Sequence, residues 1–458
     1  MLDTATCEFG RNDDPGLIST AELSLLRKGA GSIGLVTTAR PVNSSTNFTL
    51  NKAFYQSLFT KDGNQFRDLG SIVRDTKNNS ISGVSNRNFS LLCDPSMKLA
   101  LPYSEVKVTG IKNLTSGSDT LKALSKVKIT GTINTNGVPD TGFKGTLAAT
   151  LFDKLTIEKT KGDENPSFDY KARDNAVFNG QGNILNGQFE IEFTIPKFID
   201  QKVGVGKLSL YAFSESNKAD VTGVNSTLKI GAQEKNPGAD SKGPGIELYM
   251  GDSTFVNGGV AGRDSKIVAI LSDENGINIS DFDPKNGITA ILDDTLSLLL
   301  NEYYQSDVDN FKRGNVNYPI DDIKPGQHQL TLRASDTFGN SASRSITFSV
   351  SDENGIQIEQ WLNYPNPFSS STTFHFRHNR SGEDLEAVVT VYDPLGHPVV
   401  SSTYQVNSSG YKVNLPEWDA TSASGTKLSA GLYLVKLSLR SLLDGSKSEK
   451  ITKFIISN

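Results

Sequence analysis

An alternation of apolar and polar residues with a period of two runs through most of the chain after residue 100. Five stretches of residues 100–233 show this alternation, beginning at Val106, Lys126, Gly145, Gln188 and Gly206. Successive side chains of a β-strand point to opposite faces of a sheet, so the alternation is typical of half-buried strands. Gly, Asn and Asp residues between the stretches favour turns. Residues 100–233 are therefore predicted to form a β-sandwich without a helix.

The same alternation recurs twice more toward the C-terminus. It appears over residues 244–352 and again over residues 364–458. Polar stretches at residues 234–243 and 353–363 lie between these parts and are predicted linkers. The sequence thus predicts three mainly-β, Ig-like sandwich domains in a row. Their motifs and spacings differ, which argues against a solenoid of repeats.

Residues 1–99 have a different pattern, in which strands and helices alternate. Capping-type residues precede apolar positions at a spacing of three to four in Ser19–Lys28, which predicts a helix. Ser32–Thr38 is a largely apolar run with the length of a buried strand, and helices are expected at Asn51–Leu58 and Leu69–Lys77. This order predicts one half of an α/β domain, which needs further strands to bury both faces of its sheet.

Composition excludes some classes of function. The 458 residues are enough for three or four domains, and a net charge of −5 argues against nucleic-acid binding, which requires a basic surface. No stretch approaches the roughly 20 apolar residues of a membrane-spanning helix. The acidic runs Asp273–Gly276 and Asp321–Asp322 lack the alternating spacing of a calcium loop. Turn chemistry is the better interpretation of both runs, and neither a metal nor a cofactor is expected.

Cys7 is the first candidate for chemistry. Thr4–Cys7 has the pattern of a strand end, and Gly10 and Pro15 then favour a turn. The loop after a strand is where α/β proteins place reactive side chains, and a thiolate nucleophile needs a polarised, partly exposed position. The alternative is that Cys7 is a small buried hydrophobic residue, as free cysteines commonly are.

Charged residues close to Cys7 in the sequence have two interpretations. Glu8 follows Cys7 directly, Asp13 and Asp14 lie on the next loop, and Arg40 ends the following strand. Glu8 and Arg40 are candidate substrate-binding residues at the edge of a cleft. The alternatives are that the acids stabilise a turn through Asx-type hydrogen bonds and that Arg40 forms a surface ion pair.

The segment Thr4–Pro15 resembles the nucleophile segment of the gingipain-type cysteine peptidase family. Gly34–Val42 is similar to the next core strand of that family, Ser45–Tyr55 to the helix after it, and Asn88–Met97 to the element that closes the catalytic domain. This chain has Cys93 where the family usually has Gly. The resemblance implies a caspase-like α/β sandwich, with Cys7 as the nucleophile that forms the acyl-enzyme and its own amide as part of the oxyanion hole. A disulfide between Cys7 and Cys93 would block that nucleophile and is not expected.

A cysteine nucleophile of this kind needs a histidine to accept its proton. The four histidines are His328, His375, His378 and His397, all in the β-rich part of the chain. In the family, the histidine lies upstream of the cysteine in a His-Gly motif. We therefore expect this chain to be the C-terminal portion of a longer enzyme, with its signal peptide also upstream. His328 is expected to be a strand residue without a catalytic role.

The last ninety or so residues contain motifs in a fixed order. These are Tyr364–Phe368, Asp393–Gly396, Trp418–Asp419 and Gly425–Tyr433. In this order they resemble the C-terminal sorting domain of type IX secretion in Bacteroidetes. The resemblance implies a location that is secreted or at the outer-membrane cell surface, and recognition by the type IX translocon and outer-membrane attachment components.

Two functions follow from these resemblances. The first is a sortase that cleaves client proteins bearing C-terminal sorting domains and passes the acyl group to water or to an amine of anionic lipopolysaccharide. The second is an inactive fragment, or a secreted scaffold or adhesion protein that displays β-domains. The Cys7 segment favours the first function, and the absence of a histidine before residue 328 favours the second.

Overall fold

The computed structural model describes residues 2–3, 8–63, 65–101, 103–163, 165–214, 216, 218–350, 355–407 and 410–457. The chain divides into two compact units, Met1–Tyr103 and Ser104–Asn458. The second unit contains three β-rich parts, here named region A (residues 104–233), region B (residues 245–350) and region C (residues 355–457).

The described residues of the first unit form four helices and five short strands. The helices are α1 (Thr20–Leu26), α2 (Ser44–Leu58), α3 (Leu69–Asn78) and α4 (Val84–Arg87). The strands are β1 (Leu2–Asp3), β2 (Leu35–Thr38), β3 (Lys61–Asp62), β4 (Gln65–Phe66) and β5 (Phe89–Leu92). The predicted helices and strand are present. However, α2 begins seven residues before the predicted Asn51, at Ser44, and β2 begins three residues after the predicted Ser32, at Leu35.

Local hydrogen bonds explain where two helices of the first unit begin. Ser19 caps α1 through a complete capping box, in which its hydroxyl accepts from Glu22 N–H and the Glu22 carboxylate accepts from Ser19 N–H. Asp68 caps α3 by accepting from Ser71 N–H at 2.8 Å.

A small mixed sheet forms the centre of the first unit. The strand order is β1-β2-β5, with β1 and β2 parallel and β2 and β5 antiparallel. All four residues of β2 are buried, as its apolar sequence predicts for a strand covered on both faces. The surrounding core consists of Val36, Leu50, Phe54, Leu58, Leu69, Ile72, Val73 and Phe89.

Region A contains thirteen strands in the described residues. They are β6 (Ser104–Asn113), β7 (Thr120–Ala123), β8 (Lys126–Thr135), β9 (Val138–Pro139), β10 (Gly145–Phe152), β11 (Thr156–Lys159), β12 (Asp169–Ala172), β13 (Ala176–Leu185), β14 (Gln188–Thr194), β15 (Gly204–Val205), β16 (Lys207–Ser214), β17 (Ala219–Asn225) and β18 (Lys229–Gln233). Eight of them form one sheet in the order β14-β13-β10-β16-β17-β6-β8-β9, and β14 also pairs with β8. The alternating apolar residues of these strands face one continuous core.

Region B is built from two sheets that enclose a second core. Its strands are β19 (Gly245–Met250), β20 (Val260–Ala261), β21 (Ser265–Ser272), β22 (Thr289–Leu292), β23 (Leu296–Leu299), β24 (Tyr304–Asp307), β25 (Asn310–Ile320), β26 (Gly326–Ser335) and β27 (Ser341–Val350), with 3₁₀ turns at Pro284–Asn286 and Asn301–Tyr303. The sheet orders are β19-β21-β25-β24 and β20-β27-β26-β22-β23.

Region C also has two sheets, and it begins earlier than the sequence predicts. Its strands are β28 (Ile358–Tyr364), β29 (Thr372–His378), β30 (Asp384–Tyr392), β31 (Pro398–Asn407), β32 (Lys412–Trp418), β33 (Gly431–Ser441) and β34 (Lys447–Ile456), in the orders β28-β29-β32 and β31-β30-β33-β34. The linker predicted at residues 353–363 is therefore wrong for its second half. Ile356, Ile358 and Trp361 are buried in the region C core, and this burial accounts for the strand.

The mainly-β, multidomain fold class predicted from the sequence is confirmed. The caspase-like arrangement implied for residues 1–99 stays a prediction. Among the helices of the described ranges, none has the length and apolar character needed to cross a lipid bilayer.

Candidate active site

The loop that follows Cys7 is fixed to the carboxyl end of β2. Cys7 itself lies outside the described residues. Glu8 N–H donates to Thr38 Oγ1 at 3.1 Å, and Gly10 N–H donates to Thr38 O at 3.0 Å. Ala21 N–H donates to Phe9 O at 3.1 Å, which connects the same loop to α1. The residue after Cys7 therefore lies at the strand end where α/β proteins place ligands and reactive groups.

Gly10 allows this loop to approach the strand closely. Gly10 is buried, and a Cβ added there would overlap the Thr37 side chain. Thr37 and Thr38 are both fully buried, so neither has space to move away. The close contact explains why glycine occupies this position. Thr38 is a residue that sequence reasoning missed, because only its long-range hydrogen bond distinguishes it from other strand residues.

Three ion pairs surround the loop. Arg40 pairs with Asp13 at 2.8 Å, and both side chains are 44% exposed. Arg11 lies 3.2 Å from Asp14 and 4.0 Å from Glu8. The structure thus brings the predicted residues Glu8 and Arg40 to the same end of β2, each beside an opposite charge. Exposed pairs of this kind contribute only about 0–1 kcal/mol each.

Asp13 and Asp14 make different contacts. Asp14 Oδ1 accepts from Gly16 N–H at 3.0 Å, which is the Asx-type turn bond considered from the sequence. Asp13 instead pairs with Arg40, so Arg40 does form the surface ion pair that was the alternative to a cleft role. Arg11 was missed by sequence reasoning. Its spacing of three residues from both Glu8 and Asp14 was an available signal.

Cys93 lies at the opposite end of β2 and has the properties of an unreactive thiol. It directly follows Leu92, which pairs with Leu35 at the start of β2, and its side chain packs against Gly34. Burial raises the pKa of the Cys93 thiol, and the neighbouring Asp94 raises that pKa further. A higher pKa means less thiolate at neutral pH and slower reaction with electrophiles. Cys93 is therefore a suitable internal reference for the reactivity of Cys7.

All four histidines lie in regions B and C, and three of them, His328, His378 and His397, have contacts within those regions. His328 bonds through Nδ1 to Asp293 at 2.7 Å and through Nε2 to Lys324 O at 2.6 Å. His378 is fully buried, and burial lowers its pKa to about 4. His397 is exposed beside Asp393. His328 lies in β26, as predicted from the sequence, and its lack of a catalytic role stays a prediction.

One acidic cluster lies outside the first unit. Carboxylate oxygens of Asp240, Asp273 and Asp336 lie within 4.8 Å of one another, a grouping found once in the described residues. Each of the three accepts a backbone N–H from its own turn, such as Asn275 N–H to Asp273 at 2.8 Å. This supports turn chemistry for Asp273–Gly276. Sequence reasoning did not place Asp240, from the predicted linker, in this group.

Comparison with known proteins finds a similarity of the first unit to one protein family. The model of peptidase family C25 matches residues 1–100. None of the curated proteins matches the chain.

Several solved structures are similar to parts of the chain. Dimeric latent PorU from Porphyromonas gingivalis is 28% identical over 87% of this chain and 38% of that chain, with a TM-score of 0.37. Fibronectin(III)-like modules of Clostridium thermocellum CbhA are 13% identical over 46% of this chain and 92% of that chain, with a TM-score of 0.19. A tetra-tandem repeat from the extending region of a large adhesion protein is 12% identical over 77% of this chain and 99% of that chain, with a TM-score of 0.19. At TM-scores this low, the superpositions carry no argument. The chain spans 38% of the length of the PorU chain that it matches.

Proposed function

We propose that the chain carries the nucleophile Cys7 of a gingipain-type cysteine endopeptidase that acts as a sortase, and the match of peptidase family C25 to residues 1–100 supports this proposal. The observation that best supports this proposal is the attachment of the loop after Cys7 to Thr38 at the end of β2. A nucleophile needs a fixed position relative to its substrate, and backbone hydrogen bonds to a buried strand provide one.

The proposed chemistry has two steps. The Cys7 thiolate attacks a peptide carbonyl at the base of a client's sorting domain, and the sorting domain leaves as an amine. Water, or an amine of anionic lipopolysaccharide, then attacks the thioester and regenerates the thiol. A base must take the thiol proton and return it to the leaving amine. None of the four histidines in regions B and C is proposed for that role.

The residues near Cys7 have proposed roles in the same steps. The Cys7 amide is the proposed oxyanion donor, and a donor of this kind is commonly worth about 10²–10³ in rate. Glu8 and Arg40 are the proposed substrate-binding residues. Arg40 is half exposed and, among the described residues, forms an ion pair with Asp13 alone, so its guanidinium remains accessible to a substrate.

Region C is the proposed sorting domain of this protein. Its ordered motifs suggest the type IX translocon and outer-membrane attachment components as partners, client proteins bearing similar domains as substrates, and a secreted or outer-membrane cell-surface location. The second candidate function is a surface scaffold or adhesion protein without catalysis. The structural contacts of His328, His378 and His397 favour that alternative for the chain as it stands.

A fusion of a reporter protein to residues 351–458 tests the proposal. The full-length enzyme is incubated with this fusion, with and without an added primary amine such as glycinamide, and the products are weighed by mass spectrometry. We expect release of the reporter with a new C-terminus, and a second reporter product bearing the amine. A Cys7→Ala variant is expected to release none, whereas the matched Cys93→Ala variant retains full activity.

Thiol labelling provides the second measurement. We expect an irreversible thiol-directed probe to label Cys7 faster than Cys93, since burial raises the pKa of Cys93. Reporter release that persists in the Cys7→Ala variant would refute the assignment of Cys7 as the nucleophile. Labelling of both thiols at one slow rate, without reporter release, would favour the scaffold function.

A further inference from the structure

Region C contributes one large buried side chain that belongs to no apolar core. Tyr411 lies immediately before β32 and is 0% exposed, yet the core clusters of regions B and C do not include it. Its ring lies against Gly251 of region B, where an added Cβ would overlap the ring atoms. Gly251 has φ +76, a conformation that glycine adopts readily. Region B thus has a notch formed at a glycine, and region C fills it with an aromatic ring.

Polar contacts with region B hold Tyr411 at both ends. The Tyr411 hydroxyl lies 2.7 Å from Ser265 Oγ, at the start of β21. Its backbone N–H donates to Asp252 Oδ2 at 2.6 Å. A buried tyrosine requires a partner for its hydroxyl, and region B supplies that partner. The burial and the hydrogen bonds of Tyr411 therefore depend on region B.

A second contact lies beside the first. Arg377 Nη1 donates to Thr254 O at 2.7 Å and to Thr254 Oγ1 at 3.1 Å. Only 13% of the Arg377 side chain is exposed, and Glu359 lies 3.7 Å away. Arg377 and Tyr411 contact the same turn of region B. Both therefore belong to one continuous face of region C.

We propose that Tyr411 is an interdomain latch, with the notch of Gly251, Asp252 and Ser265 as its receptor and region C of the same chain as the occupant. Region B ends at Val350 and β28 begins at Ile358, so the short connection keeps region C at a high effective concentration near the notch. While the latch is closed, the face that carries Tyr411 and Arg377 is unavailable to a receptor. Emptying the notch frees region C to move as a separate body. This role of Tyr411 is independent of the peptidase assignment.

Hydrogen exchange measured by mass spectrometry on the full chain tests the latch. The variants are Tyr411→Ala, which empties the notch, and Ser265→Ala, which removes the side-chain partner of the Tyr411 hydroxyl and changes no residue of region C. We expect faster exchange in peptides 246–256 and 410–416, by roughly a hundredfold or more for Tyr411→Ala and by about fivefold to tenfold for Ser265→Ala. Exchange in the central strand β33 should stay unchanged in both variants, and the radius of gyration from X-ray scattering should rise for Tyr411→Ala.

Three outcomes would overturn the proposal. Unchanged exchange at the interface in both variants would show that the contacts at the notch do not hold regions B and C together. Faster exchange in β33 by the same factor as at the interface would show that Tyr411 supports the fold of region C itself. A wild-type mass of two chains that becomes one chain in the Ser265→Ala variant would show that a second copy fills the notch.

Discussion

His378 is a buried histidine whose neighbours fix it in the neutral form. It is 0% exposed at the end of β29, and Arg380 N–H donates to its Nδ1 at 3.2 Å. Nδ1 is therefore an acceptor, so the ring is neutral with its proton on Nε2. Burial and, to a smaller extent, the charge of Arg377 lower the pKa of His378 to about 4, while Asp252 opposes this. Protonation would remove the hydrogen bond from Arg380 and place a charge in the interior.

The free energy involved follows from the two pKa values. The unfolded chain binds a proton at the ordinary histidine pKa of 6.5, and the folded chain does so only near pH 4. Stability from neutral His378 is therefore fully present above pH 6.5 and is lost as the pH falls toward 4. One pKa unit corresponds to about 1.4 kcal/mol, so the loss amounts to about 3 kcal/mol.

Glu359 has an effect of opposite sign in the same region. Its side chain is 16% exposed, and burial raises its pKa from 4.5 to about 7 while Arg377 opposes the rise. The folded state favours protonated Glu359, so this group destabilises the fold as the pH rises from 4.5 through 7, again by about 3 kcal/mol. The two effects nearly cancel, and we expect the stability of wild-type region C to change little between pH 4.5 and 6.5.

Tryptophan fluorescence during urea unfolding is the assay. Both tryptophans of the chain, Trp361 and Trp418, lie in region C, so fluorescence reports on this region. The variant His378→Asn keeps an acceptor for Arg380 and cannot ionise, and Glu359→Gln removes the carboxylate.

Between pH 7 and pH 4, the stability of wild type relative to His378→Asn should fall by about 3 kcal/mol. Relative to Glu359→Gln, it should rise by a similar amount. Other acids titrate equally in all three proteins and cancel in these differences. Parallel pH profiles for wild type and both variants would refute the reasoning.

Two further predictions concern other parts of the chain. Burial, together with the charges of Asp336 and Asp240, raises the pKa of Asp273 to about 6, so Asp273→Asn should raise the midpoint of thermal unfolding at pH 8, followed by circular dichroism. That gain should vanish near pH 4, where folded wild type is protonated at this site; an equal gain at both pH values would contradict the prediction. Gly10→Ala should slow labelling of Cys7 and cost about 1–3 kcal/mol, because the new methyl group overlaps Thr37. The control is Gly16→Ala, where an added Cβ would have its nearest neighbour at 3.4 Å, and equal labelling in both variants would argue against the role of Gly10.

Local patterns predicted the strands well. The alternation that begins at Lys126 and at Gln188 corresponds to β8 and β14. In both strands, buried apolar residues alternate with more exposed polar ones, as expected. The apolar pattern alone missed the start of α2, because Ser44–Asn47 is polar and resembles a loop, whereas the family resemblance placed a helix from Ser45. The first strand of region C was not predicted, because polar residues lie between the buried positions Ile358 and Trp361 and make the segment resemble a linker.

Contacts between distant residues could not be predicted in the same way. Tyr411 and Asp252 are 159 residues apart in the chain, and neither has a neighbour in sequence that indicates the other. Asp240 joins Asp273 and Asp336 only because a stretch predicted as a linker folds back on region B. Pattern reasoning identifies which residues are buried, but it does not pair them, because pairing depends on how the sheets assemble.

The candidate site shows the same division between local and long-range information. The motif identified Cys7, Glu8 and Arg40 as residue types, and the structure adds that backbone hydrogen bonds to Thr38 hold the loop. The pair of Arg40 with Asp13 is half exposed and worth about 0–1 kcal/mol. Separating this pair would therefore cost little, while the loop keeps its position. This combination of a fixed backbone and a weakly held guanidinium is what a substrate-binding role for Arg40 requires.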